Sequence, residues 1–455
     1  MIAVKINKEL NYDIVVIGGG PSGITAAKGA IKNHNKVLLI ERSGYLGGCI
    51  TQSLVVPMMT FHAGDKQIIE GYAQDIIDRL KEAKGSIGHI LDPLGVGKTV
   101  TPIDTEIFKY EVQEYLLEHG VDIVYHCEFL EVEISENKIN SIIINSKSGM
   151  HKIKGKYFID ATGEGLVAYK SGCSMKIGRE KDGKCQPMSM MFKVGGVDRE
   201  KIIEYADENR NDFVIEEGIK SLKDVERIAI SGFFSKIKEG IDKGEFNVNR
   251  DRVLAFELNT KGEMIINMTR VINKISVNNF DLSEATIEAR RQVFAVFKFL
   301  KKYIVGFENS YLIQSGNEIG VRESRRLEGI YTINEREIVS GYKPEDTIAL
   351  GSWPIDIHDP EGRNLVIQSM RMGDYYGIPY GCMIPKEIDN LIVTGKAISA
   401  THEALASLRV SPICMALGQA AGTAAYIANE YGSSFKDVNY ERLREALKED
   451  NQILE

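Results

Sequence analysis

Three glycines near the start of the chain have the spacing of a phosphate-binding turn. In the segment GGGPSG, Gly18, Gly20 and Gly23 follow the apolar run YDIVVI and precede a helix-compatible stretch. Gly18 permits a tight turn, Gly20 lets the backbone approach a pyrophosphate, and Gly23 lets the helix pack closely on a sheet. The free N–H groups and positive dipole end of that helix would then form an anion site.

A carboxylate ends the next apolar run, VLLIE. Glu41 lies 18 residues after Gly23, close to the spacing at which an acid accepts hydrogen bonds from a ribose diol. Strand, glycine turn, helix, second strand and acid together predict a βαβ unit that binds a dinucleotide. This motif by itself leaves both NAD and FAD open.

Histidines at three positions could move protons, because imidazole titrates near neutral pH. His62 in TFHAG and His402 in ATHEA are the favoured catalytic candidates, and His358 in DIHDP is the third. The alternative for each is a surface position or a hydrogen-bonded position in the core.

Arginines in the segment VRESRR could hold an anionic substrate. Bidentate guanidinium groups orient carboxylates, so Arg322 and Arg325 are candidates for a carboxylate clamp. The alternative is a charged strand or turn in which Glu323 and Glu328 are the partners of these arginines.

Composition narrows the class of protein. The 455 residues include 56 Lys+Arg and 64 Asp+Glu, a net charge of −8, with 43% apolar and 26% charged residues. This is ordinary globular composition, long enough for two or three domains, and its acidic balance argues against generic nucleic-acid binding. The six cysteines are spread singly, which disfavours a disulfide framework and a metal site. Neither an export signal nor a membrane span is predicted, so a cytoplasmic location is expected.

The middle of the chain has a sequence pattern different from that of the predicted βαβ unit. Residues 252–271 predict a β-hairpin, 188–194 a further strand, and Met188, Met190 and Met191 core filling. Between 283 and 305 a helix is predicted, whose apolar stripe is formed by Ile287, Phe294, Phe297, Leu300 and Ile304. A second dinucleotide motif is not found, so electrons are expected to pass to or from the substrate, a diffusing partner or oxygen.

Several blocks resemble one group of flavoproteins. DIVVIGGGPSGITAA, VLLIER and YLGG look like the FAD-binding start of glutathione-reductase-like flavoproteins, and KYFIDATGEG resembles the strand and turn that return to FAD. The segment from Asn390, NLIVTGKAISATHEALASLRVSPICMALGQAAGTAA, resembles the C-terminal motif of FAD-dependent oxidoreductases related in fold to fumarate-reductase flavoprotein subunits. TFHAG, DGKCQPMSMMFKVGGVD, GVRESRRLEGIYTI and WPIDIHDPEG extend the resemblance over nearly the whole chain.

The resemblance implies an α/β fold with a Rossmann-like FAD-binding domain of the GR2 type and an inserted α+β substrate or cap domain. The FAD-binding domain would comprise residues 1–170 and 376–455, and the cap 171–375. Motif and resemblance together assign these residues to FAD binding: Gly18, Gly20, Pro21, Ser22, Gly23, Glu41, Arg42, Gly47, Gly48, Cys49, Phe129, Ala161, Thr162, Gly163, Gly395, Arg409, Val410 and Ser411.

A helix start is predicted at the end of the last block. Ser411 would cap the helix with its hydroxyl group, and Pro412 would follow in the first turn. In the resembled fold that helix end points at the pyrimidine edge of the flavin, where Arg409 would add a positive charge. The alternative is that Arg409 pairs with a carboxylate. Cys49 lacks the second cysteine of a disulfide reductase and is interpreted as a small packing residue beside the cofactor.

These features predict an FAD-dependent oxidoreductase that moves a hydride between flavin N5 and a small polar, carboxylated substrate, by C–C or C–O dehydrogenation or reduction. The alternatives are a flavin-dependent monooxygenase or halogenase-like enzyme, and an RNA-acting flavoprotein. The predicted partner is a small-molecule substrate, with no nucleic acid and no membrane. The external electron donor or acceptor is left open, and a homo-oligomer is a further hypothesis.

Overall fold

The secondary structure alternates between strands and helices along the chain. The computed structural model describes residues 5–358, 360, 365–368, 370, 371 and 373–455. The strands, numbered in chain order, are β1 (Ile6–Ile17), β2 (Val37–Ile40), β3 (Met58–Met59), β4 (His62–Ala63), β5 (Lys66–Gln67), β6 (Ile90–Leu91), β7 (Thr99–Thr101), β8 (Asp122–Val124), β9 (Glu128–Ser135), β10 (Lys138–Ser146), β11 (Gly149–Asp160), β12 (Met175–Ile177), β13 (Phe192–Gly195), β14 (Ala229–Gly232), β15 (Val253–Glu257), β16 (Met264–Ile266), β17 (Tyr311–Ser315), β18 (Arg325–Leu327), β19 (Thr347–Gly351), β20 (Ile355–His358), β21 (Leu365–Gln368), β22 (Tyr376–Pro379) and β23 (Leu391–Val393). The α-helices are α1 (Pro21–Ala30), α2 (Cys49–Gln52), α3 (Tyr72–Glu82), α4 (Thr105–Glu118), α5 (Leu166–Lys170), α6 (Arg199–Glu208), α7 (Phe234–Asp242), α8 (Asn279–Tyr303), α9 (Glu335–Ser340), α10 (His402–Leu408), α11 (Ser411–Tyr431) and α12 (Tyr440–Glu449). Short 3₁₀ helices span Arg210–Asp212, Leu222–Asp224, Tyr380–Met383, Gly395–Ala397 and Phe435–Asp437.

The first sheet carries the glycine turn at the end of a central strand. Its order is β8-β2-β1-β11-β10-β9, and β23 pairs with the end of β11. The pairs β8/β2, β2/β1, β1/β11 and β11/β23 are parallel, whereas β10 is antiparallel to β11 and β9. Ile14–Ile17 and β2 are buried on both faces, as the continuous apolar runs predict. This sheet confirms the Rossmann-like α/β class.

Helices α1 and α11 cover one face of this sheet and contact each other closely. A Cβ on Gly418 would overlap the carbonyl oxygen of Ser22, and a Cβ on Gly422 would overlap that of Ala26. Glycine is therefore required at both positions by the approach of the two backbones. In the part of the chain that is described, no single helix is long and apolar enough to cross a membrane, although α10 and α11 satisfy the length and composition criteria as a pair bent by 92°.

A second, antiparallel sheet lies in the middle of the chain. Its order is β14-β15-β16-β13-β17, and its buried residues form a separate core with α8. The predicted hairpin is confirmed, because β15 pairs with β16 through Ala255 and Ile266. Met188, Met190 and Met191 are buried, which confirms their role as core filling, while the predicted strand begins at Phe192 rather than 188.

The predicted domain limits remain a prediction. The core of the second sheet extends from Met188 to Ile319. Strand β19, which falls within the predicted insertion 171–375, packs on α11 and contributes Ile348 and Leu350 to the core of the first sheet.

The predicted apolar stripe of the middle helix is partly wrong. Ile287 and Phe294 are 51% and 52% exposed, whereas Leu300 and Ile304 are buried as predicted. The face of α8 toward the sheet is built from Ala285, Ala289, Val293, Val296, Phe299 and Leu300. In the first part of the helix this face carries only small and β-branched side chains, so the large apolar residues there do not mark the buried face.

Candidate functional site

The glycine turn leaves space for a ligand where the motif predicts a pyrophosphate. A Cβ on Gly23 would overlap the carbonyl oxygen of Gly18, which has a φ of +104°, so both positions are constrained by the protein itself. A Cβ on Gly20, in contrast, would be 3.8 Å from its nearest neighbour, the Cα of Gly48. The open space beside Gly20 and the uncapped start of α1 therefore fit a bound diphosphate.

Glu41 lies at the ribose end of this turn, and its carboxylate is held by backbone N–H groups. Gly19 N donates to Oε2 at 2.7 Å, and Ser43 N donates to Oε1 at 2.8 Å. Each carboxylate oxygen retains lone-pair capacity for a ribose hydroxyl. Arg42 is exposed and pairs with Glu318, in a surface hollow next to Glu41.

Four segments that are distant in sequence meet around the glycine turn. Gly47 N donates to Gly19 O at 2.8 Å, and Ala161 N donates to Ile17 O at 2.9 Å. Thr162 is fixed by Asp160, whose Oδ1 accepts from its hydroxyl group at 2.6 Å. The remaining predicted cofactor residues are Pro21 and Ser22 on α1, Gly48 beside Gly20, Gly163 after Thr162, Gly395 against Ser22, and Phe129 on β9, which is buried in a core separate from the one that contains α1 and α11.

The far end of the groove is formed by the start of α11. The N-cap of α11 is Val410, with no side-chain hydrogen bond, and Ser411 is the first helical residue. The predicted Ser411 cap is therefore wrong, and the first N–H groups of the helix lack a side-chain partner. The thiol of Cys49 is exposed in the groove, and its sulfur lies 3.9 Å from the Ser411 hydroxyl oxygen.

Arg409 stands between α11 and a carboxylate from β20. Its Nη2 donates to the carbonyl oxygen of Asp356 at 3.2 Å and to Oδ2 of Asp356 at 3.4 Å. Its Nε is buried without a hydrogen-bond partner among the described residues. Burial lowers the pKa of Arg409. Arg409 therefore pairs with a carboxylate, as the alternative interpretation proposed, and keeps one donor for a ligand.

Three further arginines surround the same carboxylate. Arg322 donates from Nη1 to Pro187 O at 2.6 Å, and Arg250 donates from Nη2 to Asn267 O at 3.2 Å. Burial and then the neighbouring arginines lower the pKa of Arg322 well below its ordinary value and that of Arg250 to about 10. Arg270 is buried beside them. Such crowding of buried positive charge is unfavourable without an anion.

Asp356 and His358 lie within this arginine cluster, defined as Arg250, Arg270, Arg322 and Arg409. Burial opposes ionisation of Asp356, but His358 and the arginines outweigh it, and the pKa of Asp356 lies below its ordinary value. Burial and then Arg322 lower the pKa of His358 to about 3. The Nδ1 of His358 accepts from Arg270 at 3.4 Å, which leaves the ring proton on Nε2, 3.5 Å from Asp356 Oδ2. His358 is therefore neutral at physiological pH.

His402 is buried and hydrogen-bonded to a carboxylate. Its Nδ1 lies 2.9 Å from Glu323, which also accepts from Gln186 N at 2.9 Å and pairs with Arg326. Because an ionised carboxylate can only accept, Nδ1 carries the proton and Nε2 is free to accept another. The side-chain amide of Gln186, next to this group, is buried with neither of its atoms hydrogen-bonded to a described residue.

The other two predicted catalytic residues make separate contacts, although Ser352, four residues before Asp356, donates to the carbonyl oxygen of His62. His62 is half-buried on β4, with Nδ1 3.1 Å from the Thr99 hydroxyl oxygen and its ring edge-on to His89. Burial lowers the pKa of His62. Arg325 lies on β18, and its guanidinium is 4.1 Å from the centre of the Tyr169 ring. The structure thus brings Arg322 to the cluster but not Arg325.

Sequence reasoning missed Arg250, Arg270, Asp356, Glu323 and Gln186 as site residues. One signal was available: Arg270 ends the apolar run MIINMTR, and an arginine in a buried strand segment is rare unless it is paired. Asp359, Glu361 and Gly362 of the block WPIDIHDPEG lie outside the described residues.

The parallel sheet, the glycine turn, the ribose carboxylate and the open start of α11 define a flavoprotein-type dinucleotide enzyme. The model of a family described as FAD dependent oxidoreductase matches residues 13–447. The chain therefore belongs to this family, and its cofactor is FAD.

Comparisons with individual proteins are consistent with the family but more distant. The chain is 27% identical over 169 residues to thiamine thiazole synthase of Pyrococcus horikoshii, covering 34% of this chain and 59% of that protein. It is 29% identical over 168 residues to the enzyme of the same name from Methanococcus aeolicus, covering 34% and 56%. The chain thus spans less than two thirds of the length of these relatives.

Similar solved structures include p-nitrophenol 4-monooxygenase PnpA from Pseudomonas putida, with 12% identity, a TM-score of 0.49 and coverage of 98% of this chain and 88% of that one. The flavin-dependent brominase Bmp2 gives 13% identity, a TM-score of 0.46 and coverage of 97% and 84%. At such identities neither substrate nor reaction is transferred to this chain.

Proposed function

We propose that this FAD-dependent oxidoreductase moves a hydride between flavin N5 and a carbon atom of a small polar substrate that carries a carboxylate. The observation that carries this proposal is the buried arginine cluster at the start of α11, in which Asp356 accepts from Arg409 and Arg322 is held by the carbonyl oxygen of Pro187. FAD, when bound, supplies the two-electron chemistry.

Arg322 and Arg409 orient the substrate in this proposal. A guanidinium binds a carboxylate with two parallel hydrogen bonds, which fixes the angle of the reacting carbon as well as its position. The Nε of Arg409 is buried without a hydrogen-bond partner among the described residues, so an incoming anion would satisfy it. Asp356 holds the guanidinium of Arg409, and the carbonyl oxygen of Pro187 holds that of Arg322.

His402 accepts the substrate proton in this proposal. Glu323 holds the Nδ1–H of His402, so that Nε2 presents its lone pair to a substrate proton. Glu323 then stabilises the imidazolium that forms, and Arg326 and the backbone N–H of Gln186 keep this carboxylate oriented. His358, with a pKa lowered to about 3, is too weak a base for this role.

The test uses the purified holoenzyme. Its flavin is reduced anaerobically, and small keto acids and unsaturated acids are added while the return of oxidised-flavin absorbance is recorded; the reverse panel of hydroxy and saturated acids is added to the oxidised enzyme. A reacting acid should lose at least tenfold in kcat/KM when its carboxylate is replaced by a carboxamide, since a charge-assisted hydrogen bond is worth about 1.5–3 kcal/mol.

Two arginine variants provide the matched control. Arg322→Gln should raise KM for the acid about 10- to 100-fold and reduce the preference for acid over amide, whereas Arg325→Gln should change either value less than about threefold. An amide that reacts as well as the acid would contradict the proposal. Fast reoxidation by air coupled to an oxygenated product would instead assign the protein to the monooxygenase or halogenase class.

A further inference from the structure

The outer face of α8 exposes large apolar side chains at regular intervals. Phe280, Ile287 and Phe294 are 83%, 51% and 52% exposed and lie seven residues apart, so they follow one line along the helix. Aligned exposed aromatic and aliphatic side chains of this size mark an interaction surface rather than ordinary solvent contact. We call this face the α8 stripe, defined by these three residues.

Charge is distributed unevenly along the same helix. Acidic residues occupy its first part, and basic residues follow Ile287 and Glu288: the acids are Asp281, Glu284 and Glu288, and the bases are Arg290, Arg291, Lys298, Lys301 and Lys302. Within the described chain, no acidic side chain comes within 4 Å of Arg290, Arg291 or Lys298 to form an ion pair. These cations are therefore available to an acidic partner.

The stripe is complementary to itself. Phe280 and Phe294 are each seven residues from Ile287, and Glu284 and Arg291, three residues before and four residues after Ile287, lie on the same side of the stripe. A two-fold axis through Ile287 would therefore place apolar residues against apolar residues, and Glu284, which also pairs with Lys274 of its own chain, against Arg291.

We propose that a second copy of this chain docks on the α8 stripe, with the two α8 helices antiparallel. Ile287 then packs on Ile287 of the partner subunit, and Phe280 packs on Phe294 of the partner subunit. Glu284 lies opposite Arg291 of the partner subunit. A groove of about 820 Å³, lined by Glu245, Phe294, Lys298 and Tyr303 among others, receives the partner's Phe280.

The antiparallel orientation follows from electrostatics. A parallel pair would set acids against acids and bases against bases, and it would align the two helix dipoles unfavourably. An anionic membrane or nucleic acid would suit the basic half but not the acidic first half of the helix. A second copy of the chain carries both an acidic and a basic half, so it complements both halves of the helix.

The mass of the full-length FAD-loaded protein, measured by light scattering after size-exclusion chromatography or by sedimentation, tests the proposal. Wild type should be a dimer, and Ile287→Asp should raise the dimer dissociation constant at least 100-fold while FAD content is unchanged. Tyr110→Asp, at an aromatic residue on α4 that is 61% exposed, should leave the dimer intact.

Charge exchange distinguishes this contact from any other dimer interface. Glu284→Arg alone, and Arg290→Glu with Arg291→Glu in one chain, should each give monomers, because like charges then oppose each other. Mixing the two variants should restore a heterodimer. In addition, Ile287→Cys should form a disulfide with its own copy under a mild oxidant that accepts the two electrons and two protons, whereas Phe280→Cys should not.

A monomeric wild type would overturn the proposal, as would a dimer that survives Ile287→Asp or a mixture of charge variants that stays monomeric. If the protein is a monomer and its α8 stripe binds a different, acidic helical protein, the surface belongs to that partner, and the proposal is overturned as well. A Phe280→Cys chain that links to itself would rule out the antiparallel register.

Discussion

The two ends of the FAD groove differ in whether the protein itself supplies hydrogen-bond partners to their buried polar groups. At the ribose end, both carboxylate oxygens of Glu41 accept backbone N–H groups of the protein itself. At the α11 end, Nε of Arg250, Nε of Arg409 and Oδ1 of Asp356 are buried and have no partner in the described ranges. A buried polar group without a partner costs about 1–3 kcal/mol, and in our proposal the bound carboxylate lowers this cost by accepting from the two arginine N–H groups.

The difference separates two tasks. The ribose end is complete before the cofactor arrives, which favours tight, permanent binding of FAD. The α11 end keeps buried N–H donors without a described partner, which in our proposal a substrate occupies as it enters, reacts and leaves. Changes at the first end should therefore affect protein stability or FAD retention, and changes at the second should affect turnover and the pH dependence of stability.

The largest expected effect contrasts two glycines of the ribose end. Gly23→Ala places a Cβ on the Gly18 carbonyl oxygen, so we expect loss of FAD and a fall in the free energy of unfolding of about 3 kcal/mol or more. Gly20→Ala has room in the protein and a permitted φ of −75°, so the unfolding free energy of its apoprotein should change by less than about 1 kcal/mol while FAD affinity falls.

Flavin absorbance per protein and denaturant unfolding of both apoproteins measure this contrast. If the free energy of unfolding falls as far in the Gly20→Ala apoprotein as in the Gly23→Ala apoprotein, Gly20 is required for packing of the protein rather than for binding of the phosphate.

The second prediction concerns the two favoured histidines. His402→Gln should lower kcat about 10²- to 10⁴-fold with KM within threefold of wild type, because it removes the base while leaving the arginines in place. His62→Gln should lower kcat less than about tenfold, since Thr99 and His89 are its contacts. Stopped-flow reduction or reoxidation of the flavin with the reacting acid gives both constants. Equal losses of kcat in the two variants would contradict the assignment of His402 as the base.

The third prediction concerns the pH dependence of stability. Folding lowers the pKa of His358 from about 6.5 to about 3, so the unfolded chain binds the proton first as pH falls. His358 therefore contributes stability that is fully present above pH 6.5 and declines between about 6.5 and 3, by at most about 1.4 kcal/mol per pH unit.

Denaturant unfolding between pH 7 and 4 checks this slope. His358→Gln should flatten it, and His34→Asn, at an exposed histidine, should leave it unchanged. A slope that persists in His358→Gln would mean that other groups, such as His89 with its pKa lowered to about 4 by burial, account for it.

The ribose end could be predicted from sequence because its determinants are local. Strand β1, the glycine turn, α1 and Glu41 lie within 36 consecutive residues, and each glycine has a steric reason that any sequence of this kind must satisfy. The predicted hairpin was found for the same reason, since a turn at Gly262 separates two short β-rich runs.

The arginine cluster could not be predicted in full because its members come from separate strands and loops. Arg250 and Arg270 flank the hairpin, Arg322 precedes β18, and Arg409 precedes α11. Only tertiary packing brings them together, and an arginine in sequence looks the same whether it is solvated or buried. The error on α8 has a related cause: Ala285 and Ala289 form the buried face, but they carry less hydrophobic signal than the exposed Ile287 and Phe294.

The glycine contacts between α1 and α11 have one more consequence. The first helix starts at the diphosphate and the second starts at the far end of the groove, and their backbones touch at Gly418 and Gly422. The packing of these two helices therefore sets the distance between the two ends of the FAD site. A methyl group at either glycine would push the helices apart and displace the flavin ring, although no residue that contacts the ring would be changed.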